Sequence, residues 1–115
     1  MCIRDRYTIG VAGNTGAYGQ NSSLTFRDES AGTTRFELNS SGHLIPGQGS
    51  TYDLGATGRA WNNLYVNDMH FSNEGSSNSV DGTWGDWTLQ EGENDIFMIN
   101  NRTGKKFAIT MREVS

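Results

Sequence analysis

The chain has 115 residues, 34% of them hydrophobic, with 15 glycines, one cysteine and a formal net charge of -4, and its mean hydropathy is -0.61. So short a chain is at most one domain or a fragment of one, and a single cysteine excludes a disulfide framework or a cysteine-rich zinc site. An acidic balance without a basic run excludes nucleic-acid binding through clustered Lys and Arg, and no apolar run approaches the roughly 18 residues of a membrane span. Aromatic residues make up 10% of the chain, more than disordered sequences carry. Yet the apolar stock is thin for a compact monomer, which would bury roughly two-thirds of its unfolded surface. Burial against other copies of the same chain reconciles the two.

The start, Met1-Cys2-Ile3-Arg4-Asp5-Arg6, resembles translated adapter sequence found in metagenomic reading frames. On that reading residues 1–6 are a non-native leader, Cys2 carries no function, and an upstream remainder of the protein is missing. From 7 to 45 the texture is that of a short-strand repeat. Ser23-Leu24-Thr25-Phe26-Arg27 and Thr34-Arg35-Phe36-Glu37-Leu38 alternate polar and apolar, each predicting a strand with one buried face. Asp28-Glu29-Ser30-Ala31-Gly32 is a link of hairpin length, and Ser41-Gly42 turns the chain into His43-Leu44-Ile45. Asn14-Thr15-Gly16-Ala17-Tyr18-Gly19 is glycine-rich but lacks the strand-before, helix-after context of a phosphate loop.

From 46 to 80 the chain changes character. Pro46-Gly47 forces a turn, and Tyr52-Asp53-Leu54-Gly55 leads through a polar spacer to Arg59-Ala60-Trp61-Asn62-Asn63-Leu64-Tyr65-Val66. Trp61, Leu64 and Tyr65 stand at i, i+3 and i+4, which predicts one helical turn with an apolar face. A strand is expected through Tyr65-Val66 and Met69-His70-Phe71, then an exposed Ser/Asn/Gly-rich loop from Ser72 to Asp81.

From 81 to 115 three strands are expected, Trp84 to Gln90, Asp95 to Asn100 and Lys105 to Arg112, forming a C-terminal meander. Their links, Glu91-Gly92-Glu93-Asn94 and Asn101-Arg102-Thr103-Gly104, carry hairpin chemistry, with a glycine where a positive φ is needed. Phe107, Ile109 and Met111 form a period-2 apolar face. Ile96-Phe97-Met98-Ile99 is apolar on both sides of its strand, the pattern of a central strand buried on both faces. In so small a sheet one of those faces would have to meet another subunit.

Chemistry is sparse. Glu91, Glu93 and Asp95 could hold Ca²⁺ or act as a glycosidase pair, but they lack the calcium-loop pattern, and a solvated turn explains them. His43 and His70 are lone histidines, so either could make a metal site only together with the same residue from other subunits. No activated-serine elbow is present. No catalytic residue, metal ligand or cofactor is assigned, and an enzyme is not expected. Trp84 and Trp87 are candidate glycan-contacting residues, since an indole face is a large amphipathic platform. Their odd spacing puts them on opposite faces of a strand, with Trp84, beside the loop, the more exposed. Trp61, Leu64, Tyr65, Ile96, Phe97, Met98 and Ile99 are expected to pack, within the chain or between subunits.

The order L-x-P … D-L-G … R-x-W-x-x-L-Y, carried by Leu44, Pro46, Asp53, Leu54, Gly55, Arg59, Trp61, Leu64 and Tyr65, resembles a recurrent element of bacteriophage tail-fibre and tailspike proteins. The alternating strands before it, and the tail from His70 onward, resemble fibre and virion structural proteins too. The resemblance implies a mainly β fold of short antiparallel strands in an intertwined homotrimer. It also implies a structural role in a virion assembled in the host cytoplasm, with loops presented to a host-surface glycan or protein. Relatives carrying the element often end in a self-cleaving chaperone domain opening on a Ser-Asp-x-Arg-x-Lys motif; nothing after Val66 matches it, so autoproteolysis is not carried over. The alternative is a monomeric carbohydrate-binding or adhesin module of a bacterial surface protein.

Overall fold

The computed structural model describes residues 7–11 and 23–115. The leader and the glycine-rich stretch from Asn14 to Gly19 lie outside them. Among the described residues every regular element is a β-strand, eight in all, arranged as two four-stranded antiparallel meanders. Two compact units contain them, Met1–Ala60 and Trp61–Ser115.

The first unit holds β1 (Tyr7–Val11), β2 (Leu24–Asp28), β3 (Thr33–Leu38) and β4 (Leu44–Pro46), neighbours in that order. Register lines up Ile9, Phe26, Phe36 and Pro46 in one row and Leu24, Leu38 and Leu44 in the next, on the same face. The Phe26 and Phe36 rings stack there with centroids 4.3 Å apart. The opposite face carries Thr25 beside Glu37, and burial is inverted relative to the expectation. Thr25 and Ser23 are fully buried and Glu37 nearly so, while Phe36, Leu38, Leu44 and Ile9 stay exposed. The alternation is real, but among the described residues each strand of the unit contacts only its sheet neighbours, so no second layer of strands packs on the apolar side.

A polar clasp fixes one end of this sheet. Arg35 Nη2 donates to Asp28 Oδ2 at 2.7 Å and Nη1 to the Tyr52 hydroxyl at 3.0 Å. Ser30 Oγ and the Ala31 amide donate to the other carboxylate oxygen, at 2.7 and 3.2 Å, closing the turn between β2 and β3. The Arg35 guanidinium beside it, then Ser30 and the Ala31 amide, hold the Asp28 carboxyl far below the usual carboxylate range. A bulge between Phe26 and Arg27 shifts the ladder at this end, as an extra residue in one strand does. Pro46 closes β4, an edge strand where its missing N–H is tolerated. Gly47 is required next: a Cβ there would overlap the Thr34 carbonyl oxygen.

The second unit holds β5 (Met69–Ser72), β6 (Asp86–Glu91), β7 (Ile96–Asn100) and β8 (Lys106–Ala108). The C-terminal sheet therefore has four strands and not the three expected, because Met69–Ser72 pairs with β6. Met69, Leu89, Met98 and Phe107 form one row across it, with Phe71 and Trp87 beside them on the same face. Phe97 and Ile99 point to the other face. β7 is thus a central strand with apolar residues on both sides, as the sequence predicts, but the single chain leaves all of them half-buried.

Three further expectations are corrected. No helical turn forms at Trp61, Leu64 and Tyr65; residues 61–68 are irregular and all three side chains are exposed. One turn cannot repay helix nucleation, and no surface of the unit meets its apolar face. Tyr65-Val66 likewise join no strand. β8 stops at Ala108, short of Arg112, because β7, its only partner, begins at Ile96.

Candidate functional site

The D-L-G … R-x-W element is divided between the units. Gly55 has φ +90° and Gly58 φ +78°, and Ala56 and Arg59 exchange backbone hydrogen bonds of 3.2 and 3.0 Å across the Thr57-Gly58 turn. The polar half is therefore a tight hairpin-like turn on the first unit, with Tyr52 anchored to Arg35. The tryptophan half begins the second unit.

On the second unit a cleft of about 650 Å³ is lined by Trp84, Trp87, Arg102, Asn78, Asp81 and Thr83 among others. It brings together the two tryptophans singled out from sequence, though not as expected. β6 begins at Asp86, so Trp84 precedes the strand and face alternation does not apply to it. Both indoles are half-buried. The Arg102 guanidinium lies 3.8 Å from the Trp84 ring centroid, and its Nη1 donates to the Trp84 carbonyl at 2.9 Å. One indole face is thus already occupied by a cation–π contact. Trp87 sits on the apolar face of the sheet, tilted against Phe107 with centroids 5.9 Å apart. Gly85 makes room for it, since a Cβ there would come within 2.9 Å of Trp87 Nε1.

The loop that walls this cleft is built from its own polar side chains. Asn78 Nδ2 donates to Asp81 Oδ1 at 2.7 Å and to the Thr83 carbonyl at 2.9 Å, while Asn78 Oδ1 accepts from the Val80 and Asp81 amides at 2.8 and 2.9 Å. Thr83 Oγ1 donates to Asp81 Oδ1 at 2.7 Å. The Thr83 hydroxyl, then Asn78 and the Thr83 amide, hold the Asp81 carboxyl below its ordinary value. Asn73 ties the loop to β6, its Oδ1 accepting from the Gly85 amide at 2.8 Å. Sequence reasoning saw only an exposed Ser/Asn/Gly-rich stretch here. The usable sign was Asn78-x-x-Asp81-x-Thr83, short polar side chains at spacings that satisfy backbone groups locally.

The remaining candidates are dispersed. Glu91, Glu93 and Asp95 are exposed around a turn closed by the Gly92 amide donating to the Asp95 carbonyl at 2.7 Å. Gly92 keeps a negative φ, so of the two expected hairpin glycines only Gly104, at φ +77°, is left-handed. His43 is exposed, and His70 Nδ1 lies 3.1 Å from Thr88 Oγ1. Among the described residues no group of three or more His, Cys, Asp or Glu could hold a metal ion. Comparison with known protein families, with curated sequences and with solved structures found no match.

Proposed function

We propose that this chain is a structural segment of a bacteriophage tail fibre or related virion protein, working as a homotrimer that presents its loops for host attachment. The observation that supports it most is the uncovered apolar face on each sheet. Ile9 is 68% and Leu44 65% exposed on the first, Phe71 48% and Phe107 49% on the second. Single exposed apolar residues are ordinary, but contiguous faces of this kind mark association surfaces. Covering one such side chain contributes about 1.5–3 kcal/mol, against an association cost of about 4–15 kcal/mol. Because these side chains are already partly covered, half a dozen per chain contribute an amount of the same order as that cost.

In this reading the mechanism is mechanical and adhesive. The strands supply the shaft, and the loop from Ser72 to Trp84 with its cleft is displayed for a host-surface glycan. Arg102 covers one indole face, so the polar rim and the second face of Trp84 would make the contact. Repeating a weak site around a symmetric assembly raises attachment by effective concentration. The test is molar mass by light scattering after size exclusion. A mass about three times 12.6 kDa supports the reading; a folded monomer overturns it.

The tryptophan-lined cleft also favours a second reading, a monomeric carbohydrate-binding module. A folded monomer whose tryptophan fluorescence is quenched by added sugar would select it.

A further inference from the structure

Among the described residues neither edge strand of the second sheet pairs with a further strand, and the two edges carry opposite charge. On β8 the Ile109 amide donates to the Ile96 carbonyl at 2.9 Å and the Asn100 amide donates to the Lys105 carbonyl at 2.9 Å. Odd-numbered backbone groups therefore face β7, and those of Lys106 and Ala108 face outward, in an antiparallel ladder's alternation. Continued along the strand, Thr110 and Arg112 follow. On β5 the Asn73 amide donates inward to the Gly85 carbonyl at 3.3 Å, in register with Phe71↔Trp87. The groups of His70 and Ser72 thus face outward, with Asp68 just before the strand and Glu74 in the turn just after it, where its amide donates to Ser72 Oγ at 3.3 Å. One edge is basic at Lys106 and Arg112, the other acidic at Asp68 and Glu74.

The β8 side also carries an unused strand. Beyond Ile109, which meets Ile96 at the start of β7, Thr110, Met111 and Arg112 continue the alternation of β8 past the end of its partner strand, and all four residues are exposed. We infer that this overhang and the outer edge of β8 pair antiparallel with β5 of a second copy, Ser72 opposite Ala108. That register sets Glu74 against Lys106 and Asp68 against Arg112, while Met69 meets Met111 and Phe71 meets Ile109 on the apolar face. It is the even-to-even alignment that satisfies both charge pairs and both apolar pairs together. Shifting β8 by two residues leaves Glu74 opposite Gly104 and Asp68 opposite Thr110. Asp68 already accepts from Gln90 Nε2 at 3.2 Å, which orients its carboxylate on the side of the sheet where Arg112 would arrive.

Lysines on edge strands ordinarily discourage pairing. Here they do so selectively, because β8 against β8 and β5 against β5 would place like charges together, whereas β5 against β8 does not. The contact is head-to-tail, and head-to-tail contacts close into rings when the rotation allows. β5 and β8 run antiparallel within one meander, so rotation about an axis along the strands preserves an antiparallel join at each seam. The inference rests on the homotrimer proposed above and says which edges form its seams.

Charge exchange in the full chain tests it. Glu74→Lys or Lys106→Glu alone should weaken assembly at least tenfold in dilution experiments, and the two together should restore it. In a Cys2→Ser background, Ser72→Cys with Ala108→Cys should give intermolecular disulfides on a non-reducing gel, and Ser72→Cys with Lys106→Cys should give far fewer. A trimer indifferent to the single reversals, or one not rescued by the double change, or equal cross-linking from both cysteine pairs, overturns the edge pairing and leaves the trimer standing. A folded monomer of the unaltered chain overturns both.

Discussion

The two sheets share a topology and differ in what holds them. In the first, the buried positions are polar, Ser23, Thr25, Asp28 and Glu37, and a clasp of Asp28, Arg35, Ser30 and Tyr52 ties the end of the meander. In the second the buried polar residue is Thr88, β7 is apolar on both faces, and local order comes from the loop of Asn78, Asp81 and Thr83 and from the Arg102–Trp84 contact. The first sheet thus offers solvent a single apolar face, and the second offers apolar residues on both. The lesson is that hydrogen bonds can fix strand register in a single chain, whereas apolar faces need something to cover them. Dependence on the proposed assembly should accordingly be greater in the second unit.

Placing a charge on the apolar face of β7 should break that comparison most severely. Met98→Glu would bury an unpaired carboxylate in the assembly, a cost of several kcal/mol. The mass in light scattering should fall to that of one chain. The corresponding change on the first sheet, Leu44→Glu on an edge strand, should weaken assembly less. If both act equally, the proposed asymmetry is wrong.

Next in size is a backbone test of the first unit. Gly47→Ala forces its Cβ onto the Thr34 carbonyl oxygen and should cost about 1–3 kcal/mol, as overpacking does, read as a lower denaturation midpoint. Gly49→Ala, with open space around the added methyl, is its control.

The clasp sharpens the comparison through pH. Asp28 has its native pKa held well below the usual value by Arg35, Ser30 and the Ala31 amide. A depressed carboxyl contributes stability in full above its unfolded value, near 4, and loses it as pH falls through that value toward the native one. Thermal midpoints should therefore decline between about pH 5 and 2. Asp28→Asn should flatten part of that slope and lower the midpoint at neutral pH.

The smallest effect belongs to the cleft. Arg102→Ala removes an exposed cation–π contact worth about 0.5–1 kcal/mol and uncovers one face of Trp84. Its emission should shift to the red with little change in midpoint. If sugar quenching appears only in this variant, Arg102 occludes the indole.

Much of the fold was legible. The alternation around Phe26 and Phe36 located β2 and β3 almost to the residue, Asn101 to Gly104 gave the last hairpin, and Ile96 to Ile99 marked a central strand. Around Trp61 the structure departs from the expected helical turn, because spacing at i, i+3 and i+4 makes a helical face only when a surface exists to receive it. The sequence marks β5 as a strand but not as a member of the last sheet, since its partner lies beyond a loop that carries no pairing code. The cleft is half legible: the sequence singles out Trp84 and Trp87, but it places Arg102, eighteen residues from Trp84, only in a hairpin link.

What the sequence determined by itself is local: period-2 alternation, turn residues and the two-sided apolar strand follow from side-chain chemistry between neighbours along the chain. Which face is buried, which strand joins which sheet, and which cation covers which indole depend on contacts between residues far apart in sequence. Those were decided only when the chain closed on itself, and the inverted burial of Thr25 and Phe36 is the clearest instance. Alternation separates a polar row from an apolar one, but only packing selects which row is covered.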